Sequence, residues 1–341
     1  MTTAATEPAA PRRLALPAAL AWLRRHPEMF PLALIVVFAL GIGAVNPSFW
    51  QLANLFDILR SASVTGLFAL GVLVVLAAGG LDVSFTAVAA LVMYTLVLAV
   101  NQFVPGLGIV PILAVAALGG LVLGLMNGVL VNALGVHSLI VTIGTQYAIR
   151  GFLLAFIGTA LVMNIPEAIT RFNQLSLTTQ VSDAGFTVRL PAFFLVLVAA
   201  AVATWAVLTR TMMGRAIYAV GGNAAIAQRL GYNVNHVRLF VFGYAGMLAG
   251  LGGIIHVTSN RLANPFDLAG TELAVIAAVV LGGARITGGT GSVPGTMLGV
   301  FLITMVSNNL ILVGIPSIWQ TAILGGFILL AGVVFGVRPA R

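Results

Sequence analysis

Residues 83–149 read VSFTAVAALVMYTLVLAVNQFVPGLGIVPILAVAALGGLVLGLMNGVLVNALGVHSLIVTIGTQYAI, without a single Asp, Glu, Lys or Arg. A helix that crosses the hydrocarbon core of a bilayer needs about 20 predominantly apolar residues. The run is long enough for three such helices, and turn-forming residues break it near 101–108 and near 132–138. Only helices and closed barrels satisfy their backbone hydrogen bonds in lipid, and long apolar runs select helices. This stretch therefore predicts an all-α protein that crosses a membrane several times.

The whole chain has the composition of a membrane protein. Of its 341 residues, 60% are hydrophobic and 7% are charged, and the mean hydropathy is +1.11. About a quarter of the residues in a soluble domain are charged, so a soluble globular fold is excluded. The apolar runs predict a polytopic inner-membrane helical bundle of about ten transmembrane helices. These helices are expected near residues 30–45, 62–80, 84–101, 109–132, 138–157, 191–209, 239–258, 270–284, 292–312 and 317–336.

One membrane domain, residues 29–337, accounts for almost all of the chain. Residues 1–28, rich in Ala, Pro and Arg, predict a disordered cytoplasmic tail. Two polar segments separate the helices: an outer segment, residues 158–190, and a cytoplasmic loop, residues 210–238. The apolar stretch 32–44 is also typical of a cleavable signal peptide, but an uncleaved first helix is favoured because the leader before it is long.

The distribution of arginine predicts the orientation. Cytoplasmic loops of membrane proteins carry an excess of basic residues. The amino-terminal tail carries four Arg, the 210–238 loop carries four and no acid, and the chain ends with Arg338 and Arg341. An even number of crossings then places both termini in the cytoplasm. This topology accounts for the excess of Arg and hence for the net charge of +8. No nucleic-acid partner is predicted, because the Arg residues do not cluster on a solvated face.

Several chemistries are excluded by the residues that the chain lacks. All sixteen basic residues are Arg, so there is no P-loop lysine and no lysine-bound cofactor. The chain has no Cys, and its four His are scattered, so no metal site is predicted. No Ser/His/Asp set or pair of clustered acids indicates an enzyme. Any ATP must be hydrolysed on another chain.

Two charges occupy similar places beside apolar runs. Asp82 and Arg285 each follow a glycine pair at the end of a predicted helix, with opposite sign. An ionisable group in such a position is usually paired or functional. We expect a charge pair where two broken helices meet, a common device in transporters. The alternative is that each residue caps its own helix end at the cytoplasmic surface.

Three separated motifs together carry a family resemblance. They are GGLDVS at residues 79–84, GRAIYAVGGNAAIAQRLGYNV at 214–234, and the carboxyl-terminal set AAVVLGG at 277–283, GGTGSVPGT at 288–296 and NNL at 308–310. In this order they closely resemble the permease subunits of ribose, xylose and arabinose-type ABC importers, from about residue 46 to 335. Phe85-Thr86 and the stretch 284–287 depart from the family pattern, so the sugar class stays open among pentoses, hexoses, deoxysugars, sugar alcohols and a furanose signalling molecule.

The resemblance implies an ATPase-coupling element in the cytoplasmic loop. A short helix, residues 224–230, is expected to dock on a separate ABC ATPase subunit that holds MgATP, so the permease itself needs no cofactor. Glycine on both sides allows tight turns and close backbone approach. Arg215, Arg229 and Arg238 are alternatively expected to anchor the loop at anionic lipid headgroups. The coupling residues are Gly221, Gly222, Asn223, Ala224, Ala227, Arg229 and Gly231.

The resemblance also implies a neutral polyol substrate, delivered by a soluble substrate-binding protein to the outer segment. The pathway is expected between this chain and a second permease copy or a paralogue, in a homodimer or heterodimer. A polyol requires hydrogen-bonding partners in the membrane, although such residues also form ordinary interhelical hydrogen bonds. The predicted pathway residues are Asp82, Ser84, Asn127, Gln146, Asn308 and Asn309, with Thr86, Asn132 and Thr142 as further polar groups among aliphatic neighbours.

The alternative function is an ion-coupled secondary transporter or a flippase. Arg150, beside Gln146 in the same predicted helix, and Glu272, at the start of a later one, are the charges that such a transporter would use. Two isolated charges make a poor proton relay, so the ATP-driven importer is favoured.

Overall fold

Helices dominate the computed structural model, which describes residues 28–181, 187–316, 318–320, 322, 323, 325–327 and 329. The helices of this part are α1 Met29–Val45, α2 Leu52–Ala77, α3 Phe85–Phe103, α4 Ile109–Leu134, α5 Ser138–Phe152, α6 Glu167–Gln174, α7 Phe194–Arg210, α8 Met212–Gly222, α9 Ala224–Arg229, α10 Val234–Asn260, α11 Glu272–Leu281 and α12 Val293–Asn309. A π-helical turn, Leu153–Ile157, extends α5, and 3₁₀ turns lie at Pro47–Trp50 and Leu310–Val313.

Six of the described helices are long and apolar enough to cross a membrane. They are α2, α3, α4, α5 with its π-helical turn, α10, and α12 with the 3₁₀ turn that follows it. A seventh span is possible if α7 and α8, which meet at a bend of 74°, count as one. The structure thus has the polytopic helical architecture that the apolar runs predict. The expected helix 317–336 lies largely outside the described residues.

Two helices begin earlier than the charge-free runs predict. Helix α2 starts at Leu52 instead of 62, and it includes Asp57 and Arg60. Arg60 is accommodated because its Nε donates to Ser259 Oγ on α10 at 3.0 Å. Helix α10 likewise starts at Val234 instead of 239. Charge marks the ends of apolar runs, but a charged residue with a hydrogen-bond partner does not end a helix.

The predicted helix 270–284 is much shorter than expected. Helix α11 has 10 residues, from Glu272 to Leu281. At a rise of 1.5 Å per residue this length covers about 15 Å, half the hydrocarbon core. Gly282 and Gly283 follow it, and Gly283 has a positive φ of 93°. The chain therefore contains a half-length apolar helix between two loops, as in transporters with broken helices.

The outer segment adds a short pair of strands to a protein that is otherwise helical, as the all-α prediction expects. It holds the short helix α6 and an antiparallel hairpin of β1, Ser176–Val181, and β2, Thr187–Pro191. The hairpin is rich in Thr and Val, residues that favour strands. Its first strand is exposed along its whole length. The polarity of the segment predicted exposure, but its strand pairing was missed.

The most extensive helix contact in the described part of the chain is that of α10 with α4. Glycines on the two helices face each other, and a Cβ added at Gly246 would lie 2.3 Å from the Gly120 carbonyl oxygen. A Cβ at Gly250 would lie 2.1 Å from the carbonyl oxygen of Ala116, and one at Gly124 would lie 2.2 Å from that of Phe242. The backbones touch because these positions carry no side chain, which is how small residues bring membrane helices together.

Candidate functional site

Three of the four glycine pairs in the sequence motifs meet at one place, here called the glycine junction and formed by Gly79, Gly221, Gly288 and Gly289. The Gly289 amide donates to the Ala77 carbonyl oxygen at the end of α2, at 3.0 Å. A Cβ at Gly221 would lie 1.9 Å from the same oxygen and 2.7 Å from the Gly289 nitrogen. The end of α2, the end of α8 and the loop before α12 are therefore in direct backbone contact.

Positive φ angles show why three of these positions, Gly289 with φ 78° among them, need glycine. Gly79 has φ 80° and Gly288 has φ 89°, in the left-handed region that other residues rarely adopt. A Cβ at Gly288 would also lie 2.6 Å from the Gly79 Cα. Both backbone conformation and space thus restrict the junction to glycine.

A tyrosine that the sequence analysis missed strengthens this junction. The Tyr218 hydroxyl, on α8, donates to the Gly291 carbonyl oxygen at 2.8 Å. Because Gly291 belongs to the loop before α12, the bond ties the same two elements that meet at the glycines. The sequence shows only that a tyrosine, with its polar hydroxyl, lies within a largely apolar stretch. It does not indicate which residue that hydroxyl bonds.

Helix α9 leaves the junction directly after Gly222. Asn223 caps it, its Oδ1 accepting from the Ile226 amide at 3.0 Å, as expected of an Asn that precedes a helix. Gly231, with φ 90°, follows its carboxyl end. The predicted short helix is therefore present, ending at Arg229 with Leu230 as its C-cap residue.

Helix α9 has a buried face and an exposed face. Ala227 is 1% exposed, whereas Ile226 is 54% and Leu230 is 70% exposed. Arg229 is also exposed. Two large apolar side chains one turn apart and open to solvent form a small surface suited to another protein, because exposed apolar patches with polar rims mark contact sites.

Three of the predicted pathway residues form one buried network behind the junction. Asp82 Oδ1 accepts from the Ser84 amide at 2.8 Å and from Ser84 Oγ at 2.6 Å. Asn127 Nδ2, from α4, donates to Ser84 Oγ at 2.7 Å. All three residues are at most 2% exposed. In this conformation they fasten the 78–84 linker to α4 and do not face an open passage.

Helix α5 holds the other side of the same linker. Ser138 Oγ accepts from the Leu81 amide at 2.8 Å, and Thr142 Oγ1 donates to the Leu81 carbonyl oxygen at 3.3 Å. The linker that follows α2 is therefore fixed by side chains from two helices that come later in the chain.

The expected pairing of Asp82 with Arg285 does not occur in this structure. Asp82 is buried against Ser84, whereas Arg285 is exposed. Among the described residues the ion pairs are Arg171 with Glu167 and His256 with Asp267. The similar glycine contexts place both charges near the junction, but the fold turns one inward and the other outward.

The remaining pathway residues lie elsewhere. Gln146 Nε2 donates to Glu272 Oε1 at 2.7 Å. Asn308 Nδ2 donates to Ser61 Oγ at 2.9 Å, and Asn309 Nδ2 donates to the carbonyl oxygen of Met305 at 2.9 Å. The six predicted residues thus form three separate groups. Within the described residues, no group of three or more His, Asp or Glu is arranged to hold a metal ion.

Comparison with known proteins decides what kind of molecule carries this arrangement. The family described as branched-chain amino acid transport system / permease component matches residues 54–332. The chain belongs to this permease family. It is accordingly a multi-pass inner-membrane transport subunit and not an enzyme, as the sequence predicts.

Curated relatives of this permease cover nearly the whole chain. The ribose import permease protein RbsC of Escherichia coli K12 is 32% identical over 92% of this chain and 94% of its own length. The autoinducer 2 import system permease protein LsrC of Yersinia pseudotuberculosis YPIII is 32% identical over 90% of this chain and 83% of its own length. These relatives confirm the resemblance to sugar-importer permeases. No solved structure matches the permease significantly.

Proposed function

We propose that the protein is the transmembrane subunit of an ATP-driven, binding-protein-dependent importer of a sugar or a sugar-like polyol. Membership of the permease family and the relatives that import ribose and autoinducer 2 support the transport class. Pentoses, hexoses, deoxysugars and furanose signalling molecules fit equally, since all are neutral polyols.

The observation that carries the coupling mechanism is the rigid path from α9 into the membrane. Ile226 on helix α9 and Leu230 at its end are exposed to solvent. Three residues before the helix begins, the Gly221 backbone packs against the Ala77 carbonyl and the Gly289 amide. A displacement of α9 is therefore transmitted to α2 and to the loop before α12. Closure of a separate ATPase subunit around MgATP would supply that displacement.

The proposed partners bind the two surfaces that lie outside the membrane, the α9 loop and the outer segment. An ABC ATPase docks on α9 from the cytoplasm, and Arg215 and Arg238 lie beside anionic lipid headgroups. A soluble substrate-binding protein docks on the outer segment, whose first strand is exposed throughout. A second copy of this chain, or a paralogue, completes the pathway.

We further propose ten transmembrane helices with both termini in the cytoplasm. The chain has no Cys, so single cysteines are unambiguous reporters of orientation. In intact cells a membrane-impermeant maleimide is expected to label Thr178→Cys, in the exposed strand β1, and to leave Ile226→Cys unlabelled until the membrane is opened. Labelling of Ile226→Cys from outside would reverse the orientation.

Loss of the apolar face of α9 is expected to uncouple transport. The assay uses proteoliposomes that contain the permease together with the ATPase and the binding protein encoded by adjacent genes. In this assay Ile226→Asp is expected to lower ATP-dependent uptake of radiolabelled sugar by about tenfold or more, because a charge replaces an apolar group at a protein contact. Co-purification of the ATPase should fall in parallel. Ile226→Leu, which keeps the exposed side chain apolar, is the matched control and should retain most uptake.

The same assay tests the function itself. ATP-dependent accumulation of ribose, xylose or arabinose supports the importer. Uptake by the permease alone, driven by a proton or sodium gradient and independent of ATP, would overturn the proposal in favour of an ion-coupled secondary transporter.

A further inference from the structure

Glu272 is a buried acid that the coupling mechanism does not use. It is the first residue of the half-length helix α11 and is 8% exposed. Its Oε1 accepts hydrogen bonds from Thr86 Oγ1 of α3 and from Gln146 Nε2 of α5. Three elements that are distant in sequence therefore converge on one carboxylate oxygen.

The position lies within the membrane. Gln146 follows Ser138, the first residue of α5, by eight residues, which corresponds to about 12 Å along the helix. The hydrocarbon core is about 30 Å thick, so the side chain is far from either surface. An ionisable group at such a depth is costly and marks a pathway by default.

The carboxylate is only half satisfied by the protein. Among the described residues, none donates a hydrogen bond to Oε2, and no cation lies within 4.0 Å of Glu272. Oε1 is held in place by its two donors. The Thr86 and Gln146 bonds therefore orient the carboxylate and leave the second oxygen for another donor.

Arg150 supplies a complementary group on the same helix as Gln146. It lies one turn further along α5, and residues four apart share a helix face. Its Nε and Nη2 atoms are sealed from solvent without a hydrogen-bond partner among the described residues. Buried unpaired guanidinium nitrogens are rare in folded proteins and call for an explanation.

We infer that Glu272, Gln146, Thr86 and Arg150 form an intramembrane station for a sugar, in which the free carboxylate oxygen accepts from sugar hydroxyls and Arg150 donates to sugar oxygens. A polyol fits because each hydroxyl both donates and accepts. A cationic ligand would be repelled by Arg150, and an anion by Glu272. This inference rests on the proposed function and adds to it the residues that recognise the substrate inside the membrane.

Substitution of Glu272 by glutamine separates recognition from structure. The Gln carbonyl oxygen still accepts from Thr86 and Gln146, but the charged acceptor for a sugar hydroxyl is lost. In proteoliposomes with ATPase and binding protein, D-ribose uptake by Glu272→Gln is expected to fall by about 10- to 100-fold, the range for a lost hydrogen bond to a charged group. Binding-protein-stimulated ATP hydrolysis should stay within about twofold of the unsubstituted complex. Glu28→Gln, at the start of α1 and outside both proposed docking surfaces, is the control for loss of a carboxylate.

Selectivity among sugars is a measurement that would not change if Glu272 had only a structural role. With the same binding protein at saturating ligand, the ratio of D-ribose uptake to uptake of its monodeoxy analogues is expected to shift toward one in Glu272→Gln. An unchanged ratio, or uptake and ATP hydrolysis that fall together, would overturn the station while leaving the importer intact. Absence of ATP-dependent uptake of pentoses, hexoses, deoxysugars and furanose signalling molecules alike by the unsubstituted complex would instead overturn the proposed function, and the station with it.

A second measurement needs no variant. The apolar reagent dicyclohexylcarbodiimide reacts with carboxyl groups in apolar surroundings, and mass spectrometry of the purified permease reports the labelled residue. Saturating D-ribose is expected to slow labelling of Glu272. Equal labelling of Glu272 with and without ribose would contradict the inference.

Discussion

Replacement of Gly221 by alanine is expected to abolish ATP-driven uptake. The new Cβ would lie 1.9 Å from the Ala77 carbonyl oxygen and 2.7 Å from the Gly289 nitrogen. Both neighbours are backbone atoms, so neither can move without shifting α2 or the loop before α12. Overpacking of this kind costs about 3 kcal/mol, which exceeds the roughly 1 kcal/mol that alanine contributes over glycine within a helix. Uptake and ATPase activity in the reconstituted complex are the measurements.

The next residue provides the control for this prediction. A Cβ at Gly222 meets no heavy atom within 4 Å, so Gly222→Ala makes the same chemical change one position closer to α9. We expect it to retain most uptake. Equal loss in both variants would show that the α8 to α9 connection needs flexibility at glycine, and that contact at the junction is not the cause.

Replacement of Gly246 by alanine is expected to destabilise the whole bundle. The added Cβ would lie 2.3 Å from the Gly120 carbonyl oxygen and 2.7 Å from the Gly124 Cα. Helices α4 and α10 would have to separate, and the loss is expected to be about 3 kcal/mol. The thermal unfolding midpoint of the purified permease in detergent should fall, and the yield of folded protein in membranes should fall with it.

Glycines on α5 show what the same change does without a neighbour. A Cβ at Gly144 or Gly151 meets no heavy atom within 4 Å, and both residues are exposed on the helix. Gly144→Ala should therefore leave the midpoint unchanged or raise it, since alanine favours the helix. A midpoint for Gly246→Ala that matches that of Gly144→Ala would refute the close packing of α4 and α10.

The coupling element and the substrate pathway differ in how far they could be predicted. The helix after Gly221-Gly222 follows from local chemistry, because Asn223 is a cap, the run that follows favours helix, and Gly231 ends it. Polar residues in apolar runs identified Asp82, Asn127 and Gln146 as unusual, but their partners were not predictable. Ser84 donates to Asp82, Asn127 donates to Ser84, and Glu272 accepts from the Gln146 amide.

The sequence by itself determined the membrane class, the approximate positions of most apolar helices and the short helix after Gly221-Gly222, because the free energy of transfer into lipid and helix capping depend on neighbouring residues. Only the tertiary structure decided that Gly79, Gly221 and Gly288 meet and that Asp82 is buried while Arg285 is exposed. It also decided that α11 is a half-length helix. These outcomes depend on how closely helix backbones approach one another. That approach is set by residues far apart in the chain, so no local pattern contains it.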